Sequence, residues 1–423
     1  METKNDIELS CSSTFPKNSK DKNEFSIGDI CLRFSSGKGI TTDKINPVGE
    51  YPIYGGNGVR GYTDSYNFEG QCAVIGRQGA YCGNVKYFTG KAYMTEHAII
   101  GVTKQEHDNR YFAYKLMLLN LGRFSGQAAQ PGLSVAKLKA LKITMPILSI
   151  QQKIASILSA YDTLIENNTR RIRLLEQMAE NLYKEWFVRF RFPGHENVEM
   201  VKSKYGRVPS NFNIIKMQEA FDYYIGGGWG QEEQTNDFSV QASVIRGTDF
   251  PKVRQYDIST CPRRFHKKRN YQARQLEDGD IIMEISGGTS EQPVGRVALI
   301  TQEIIDRFED SKVICASFCK LIRLQMNLVS PYFFYYWMSF LYNTRMITRF
   351  QLQSTGIVNF QFESFLRKGE IMLPTMTIMK SFEKRISSIH KQINKLAQQN
   401  TLLTRQRGLL LPRLMSGKLE VKP

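Results

Sequence analysis

The densest chemistry in this chain is the segment CPRRFHKKRNYQAR (261–274), which places Arg263, Arg264, Lys267, Lys268, Arg269 and Arg274 within fourteen residues. It contains no acid and is interleaved with Phe265 and Tyr271. Cations at that density suit a polyanion, because Lys and Arg neutralise phosphates while one or two guanidinium forks reach base edges. The competing reading is a solvated loop that merely keeps the protein soluble. Sparser cations stand on glycine-punctuated turns: Lys38 in SSGKGI, Arg60 in GGNGVRGY and Arg77 in IGRQGAY. Arg246 in VIRGTDF and Arg296 in PVGRVAL occupy comparable settings. Glycine there lets a backbone approach a ligand closely, and equally it shapes a turn.

No comparable pattern marks a catalytic centre. The chain has no Asn-Pro-Pro-Tyr motif of an amino-methyltransferase and no G-x-x-x-x-G-K-[ST] loop for ATP. Gly37-Lys38 lacks the upstream glycine, and Gly226-Gly227-Gly228-Trp229-Gly230 lacks the lysine, so that run reads as a turn or a close approach to DNA. The seven cysteines (11, 31, 72, 82, 261, 315, 319) include no CxxC and read as reduced, mostly buried thiols. Cys315 and Cys319, four apart, are spaced to share a helix face, but neither has a further ligand nearby, and the five histidines are dispersed. No metal site is expected.

These residues sit in a 423-residue chain with 57 Lys+Arg against 40 Asp+Glu, a net charge of +17. The length suits two or three domains, and 41% hydrophobic residues suffice for real cores. An excess of this sign points to nucleic acid, with a membrane surface as the alternative. No apolar run reaches the length of a membrane span, and the polar start METKND carries no signal-peptide pattern, so a cytoplasmic protein is expected.

The elements that must position the cations come in two sets, because the chain repeats itself. Gly70 faces Gly279, and Gly83-Asn84-Val85 faces Gly295-Arg296-Val297, each a glycine turn leading into an apolar run. Tyr111-Phe112-x-Tyr114-x-x-Met117 faces Tyr332-Phe333-x-Tyr335-x-x-Met338, Arg123-Phe124 faces Arg349-Phe350, and Pro146 faces Pro374. A colinear series with slowly growing offset is far harder to obtain by chance than any one match. The aromatic run 332–337 invites base stacking, but its counterpart YFAYKLMLL has helical spacing, so both read as core helices.

A long helical pattern follows each of those prolines. Ile154, Leu158, Tyr161, Ile165, Asn168, Ile172, Leu175 and Leu182 recur at spacings of four and three, the period of a coiled-coil seam. The second seam carries Phe382, Ile386, Ile389, Ile393, Leu396, Asn400, Leu403 and Leu410. One Asn in each seam is a device for fixing register and partner number. Ser149 stands as an N-cap, Pro193-Gly194 stops the first helix, and the second stops near Gly408 and Pro412. Forty residues make a rod of roughly 60 Å, too long for one globular core, so it pairs with its twin or binds another protein. The last helix and tail, from Met376, hold ten Lys+Arg against two acids, which suggests that Lys391 and Lys395 run near spacer DNA or an acidic partner.

The helix LSIQQKIASILSAYDTLIENNTRRIRLLEQMAENLYKEWF, the closing NTLLTRQRGLLLPRLMSGKLEV and the block GEYPIYGGNGVRGY closely resemble the specificity (S) subunit of type I restriction-modification enzymes. The resemblance runs from about Phe25 to the end of the chain. It implies an α+β fold in which two similar mixed α/β target recognition domains, 25–147 and 191–375, are separated by two long antiparallel helices, 148–190 and 376–423, about a pseudo-two-fold axis. Residues 1–24 form a polar leading segment. The resemblance further implies a non-catalytic subunit that reads a bipartite target in double-stranded DNA. Two methyltransferase (M) subunits and restriction (R) subunits would dock on it, and S-adenosylmethionine, ATP and Mg2+ would be used by those partners, none by this chain. Two other readings stay open on the residues: a free-standing DNA-binding regulator, and a restriction enzyme with its own catalytic site. Against the regulator stands the apolar EWFVRF at 185–190, a surface that wants cover.

Overall fold

A computed structural model describes residues 23–79, 81–126, 132–289, 292–354 and 357–422. The leading segment therefore lies outside the described residues up to position 22, and Asn23 already opens a strand. The fold is mixed α/β and divides into two compact units, residues 1–164 with 403–423, and residues 165–402.

The first unit is built on a six-stranded sheet ordered Cys31–Ser36, Ala98–Thr103, Phe68–Gly76, Val85–Met94, Tyr51–Gly55, Gly58–Thr63. All neighbours are antiparallel except Tyr51–Gly55 with Val85–Met94. Side chains alternate across a strand, so the central strand feeds two cores at once. Ala73 and Ile75 pack with the helix Asn109–Leu118 through Tyr111, Phe112 and Leu116, while Cys72 and Val74 pack with Phe88 and Ile100 on the other face. Asp108 caps that helix by accepting from the Tyr111 amide at 2.7 Å. A separate ladder joins Asn23–Ser26 to Lys142–Met145, which leads directly into the central helix.

In the second unit the main sheet is ordered Phe221–Gly226, Cys319–Leu324, Ile281–Glu284, Val297–Leu299, antiparallel throughout. A three-stranded sheet, Arg263–His266, Val240–Ile245, Val313–Cys315, lies in the same unit. Asn213–Lys216 pairs with Glu370–Leu373, which leads into the last helix. The run 332–337 falls on the helix Pro331–Asn343, with Phe333, Phe334 and Tyr336 buried. Cys315 and Cys319 do not share a helix face: one ends a strand and the other begins the next, because alternating β-branched and apolar residues favour strands here.

Two long helices, Leu148–Tyr183 and Met376–Ser416, contribute to both units. The first begins one residue before Ser149 and closes in a single π-helical turn, Lys184–Val188. The second passes through Gly408 and Pro412 instead of stopping there, and ends at Gly417 with φ +78°. Pro412 removes one helical N–H and crowds the carbonyl one turn back, but the flanking Leu410, Leu414 and Met415 hold the last turns on the first unit's core.

In the second unit the helix segments run antiparallel, since Asn168 meets Gln399 while Trp186 and Phe187 meet Phe382 at ring distances of 5.8 and 5.0 Å. In the first unit Asp162 receives Arg407, and Ile154 and Leu158 pack with Leu414. Phe382 is fully buried among Tyr183, Trp186, Phe187 and Tyr336, so truncation to Ala should cost about 3–5 kcal/mol. Within the apolar segment 185–190, Trp186 and Phe187 are buried in the second unit's own core, while Val188 stays exposed.

Candidate nucleic-acid interface

In the first unit, four turns gather at one end of the six-stranded sheet. Lys38 donates its backbone N–H to Met94 O at 3.0 Å, Thr95 to Tyr54 O at 3.0 Å, and Arg77 to His97 O at 2.9 Å. These bonds draw together the segments after Cys31–Ser36, Tyr51–Gly55, Phe68–Gly76 and Val85–Met94. Lys38 is exposed, Arg60 is exposed on the Gly58–Thr63 strand, and Arg77 is half-buried, donating to Ser36 Oγ at 3.2 Å. The turns also bring in Gln78, bonded to the His97 ring at 2.8 Å, with Glu96 beside His97. Sequence reasoning passed over this trio, since single polar residues at strand ends carry no local signal. Both ring nitrogens of His97 are thus engaged, Nδ1 by Gln78 and Nε2 by Glu96 at 3.2 Å, so Lys38 and Arg60 are the exposed cations at these turns.

In the second unit the basic segment splits by element. Arg263–His266 is a strand, paired with Val240–Ile245 on one side and held on the other by Gln231 and Phe265, which exchange both backbone bonds at 2.8 and 2.9 Å. Lys268 and Arg269 head the short helix Lys268–Gln272, exposed and with no ion-pair partner among the described residues. The other cations are engaged. Arg264 meets Glu232 at 2.6 Å with its guanidinium over the Trp229 ring, Lys267 meets Asp237 at 2.9 Å with its ammonium over Phe238, and Arg263 pairs with Glu309. Arg274 donates to Gly226 O at 2.8 Å and braces the glycine run. That run is a packing turn: a Cβ at Gly227 would stand 2.1 Å from Ala316 O.

Two of the expected contacts are paired within the protein. Arg246 donates twice to Asp249, which is almost fully buried, and once to Thr260 O at 2.7 Å. Arg296 binds Glu284 through two bonds, with little of either side chain exposed. The Arg296 guanidinium is largely enclosed by its pair, whereas Arg246, though held by Asp249 and Thr260, keeps 39% of its side chain exposed.

The seam residues fall in two classes. Ile154, Leu158, Asn168, Ile172, Phe382, Ile386, Ile393 and Leu396 are buried; Tyr161, Ile165, Leu175, Leu182, Ile389, Asn400, Leu403 and Leu410 are half-buried. Asn168 donates to Gln399 Oε1 at 3.4 Å, and Asn400 donates to Thr169 Oγ1 at 3.3 Å. Leu174, Met178, Leu402 and Leu409 lie outside the seam and are exposed. In the second unit a cleft of about 240 Å³ is lined by Glu176, Glu180, Arg254, Tyr335, Tyr336 and His390. Burial pushes the Glu176 carboxyl up and holds His390 down to about 4.

Residues 19–177 match the family model described as the type I restriction modification DNA specificity domain. The chain is 36% identical over 159 residues to the specificity subunit of the type I restriction enzyme EcoprrI from Escherichia coli, covering 37% of this chain and 39% of that one. It is 24% identical over 315 residues to the MjaIX specificity subunit of Methanocaldococcus jannaschii, covering 74% of this chain and 68% of that one. A solved S subunit of a type I restriction-modification system from M. genitalium shares the fold, with a TM-score of 0.57 at 15% identity over 95% of this chain and 97% of that one.

Proposed function

We propose, from the premise that this chain belongs to the type I restriction-modification specificity-subunit family, that it is the non-catalytic DNA-reading subunit of such a complex. Residues 25–147 and 191–375 act as two target recognition domains, each reading one half of a split sequence in double-stranded DNA. The helices 148–190 and 376–423 set the distance between them and dock two methyltransferase subunits, with restriction subunits joining that assembly. S-adenosylmethionine, ATP and Mg2+ serve those partners, and the site of action is the cytoplasm, where the DNA lies.

The observation that carries this reading is a shared order of elements. Cys31–Ser36, Ala98–Thr103, Phe68–Gly76, Val85–Met94 in the first unit corresponds to Phe221–Gly226, Cys319–Leu324, Ile281–Glu284, Val297–Leu299 in the second. Each set is followed by a core helix, a ladder to an early strand, and a long helix. Gly83 and Gly295, paired by the repeat, take φ +89° and +100° immediately before the fourth strand of each set. Side chains avoid that region, so the same turn is built twice. A duplicated unit carrying exposed cations on each copy suits a split target, by the geometry with which dimers read two half-sites.

The test is co-expression with the methyltransferase subunit of the same system, followed by sequencing of adenine methylation on a resident plasmid. Methylation at one split motif that vanishes when either protein is omitted is the expected result. Methylation by this chain alone, or a complex that methylates without sequence preference, would overturn the reading.

A further inference from the structure

We infer that the loop 229–238, together with Glu309, is an electrostatic gate on the basic strand that lowers its affinity for the DNA backbone; this rests on the DNA-reading function proposed above. The loop WGQEEQTNDF supplies both an acid and a ring to each of two cations: Glu232 and Trp229 to Arg264, Asp237 and Phe238 to Lys267. Its register on the strand is set by the paired Gln231–Phe265 backbone bonds. Glu309 takes Arg263 from another segment. Three carboxylates thus stand where phosphates would, on three of the segment's cations.

The exposures show which partner is the more enclosed. The carboxylate side chains are 77%, 75% and 68% exposed, against 17%, 48% and 34% for Arg264, Lys267 and Arg263. In each pair the cation is the more enclosed partner and the acid the more exposed one. Exposed pairs are weak, so a phosphate can displace each acid, but every displacement subtracts from binding. Every duplex whose phosphates take these cations meets that cost, target and non-target alike. A matching sequence adds base contacts on top of it and so binds tightly despite the cover. Lys268 and Arg269 remain open in both cases and supply the initial attraction.

The experiment compares the full chain with its E232Q/D237N/E309Q variant, using a random-sequence duplex and the duplex whose motif the methylation assay reports. The variant should bind the random duplex about tenfold tighter, with a salt dependence steeper by up to about 0.9 per released cation. Its affinity for the target duplex should rise by a comparable factor, since the same three acids are displaced there. A control carrying the same charge change at Glu196, Glu199 and Glu363, none of which pairs with the segment, should leave the random-duplex affinity near the parent value. Equal gains in both variants would overturn the gate in favour of net charge, and unchanged or weaker random-duplex binding would overturn it outright. Failure of the parent chain to bind either duplex would instead bring down the DNA-reading function itself, and the gate with it.

Discussion

Arg296 and Glu284 form a closed two-bond pair, Nη2 to Oε1 at 2.7 Å and Nε to Oε2 at 2.8 Å, across adjacent antiparallel strands of the second unit. The arginine backbone carbonyl also accepts from the Glu284 amide at 2.9 Å. With both side chains largely buried, the guanidinium is a fixture of the sheet rather than a hand held out to a ligand. The pair also fills the space beside Gly247, where a Cβ would stand 2.3 Å from Glu284 Oε1.

Removing one partner of a buried pair leaves the other charged and unsolvated. Arg296→Met should therefore destabilise the second unit by about 3 kcal/mol, while Arg296→Met with Glu284→Leu should recover most of the loss. Urea unfolding followed by Trp fluorescence reads this directly, because Trp186, Trp229 and Trp337 all belong to that unit. Loss of target-DNA binding with unchanged unfolding would restore Arg296 as a contact.

Lys268 and Arg269 make the opposite case, exposed and without an acid. Lys268→Ala with Arg269→Ala should weaken binding to every duplex alike and lower the salt slope by roughly two. Titration at several salt concentrations separates this from a change in sequence preference, which would mark them as base readers.

The helices and their seams were legible because a period near 3.5 residues is written locally, as are the glycine turns and the cations. The ion pairs were not. Lys267 and Asp237 are thirty residues apart, and Arg263 and Glu309 forty-six, joined only when strands pair. A cation's availability depends on such partners, so the basic segment could be found while the division between Lys268 or Arg269 and the gated residues could not. The stop at Pro412 failed for a related reason: packing of Leu414 and Met415 outweighs one lost helical bond.

Leu174 and Met178 stand one helical turn apart on the central helix, 51% and 57% exposed, where no seam partner covers them. Leu174→Glu with Met178→Glu should change unfolding by less than about 0.5 kcal/mol and abolish co-purification with the methyltransferase subunit. Retained assembly would move the docking surface elsewhere, with Lys391 and Lys395 of the last helix next to be reversed.

His390 sits on the last helix among aromatic rings, its Nε2 3.0 Å from the Tyr336 hydroxyl and its ring near Tyr332 and Tyr335. Burial holds its pKa down from 6.5 to about 4, with only Glu303 pulling the other way. Above pH 6.5 both folded and unfolded chains carry a neutral imidazole, and stability is unaffected. As pH falls from 6.5 to 4 the unfolded chain takes up a proton that the folded chain refuses, so stability drops, by up to about 3 kcal/mol. Glu176, raised by burial in the same cleft, contributes with the opposite sign. His390→Gln cancels that background, since it keeps the carboxyl and removes only the imidazole. The stability difference between the two proteins should be flat from pH 7 to 8 and then diverge in the variant's favour between 6.5 and 4. A difference that stays flat to pH 4 would mean the imidazole is solvated and protonates in the folded chain as freely as in the unfolded one.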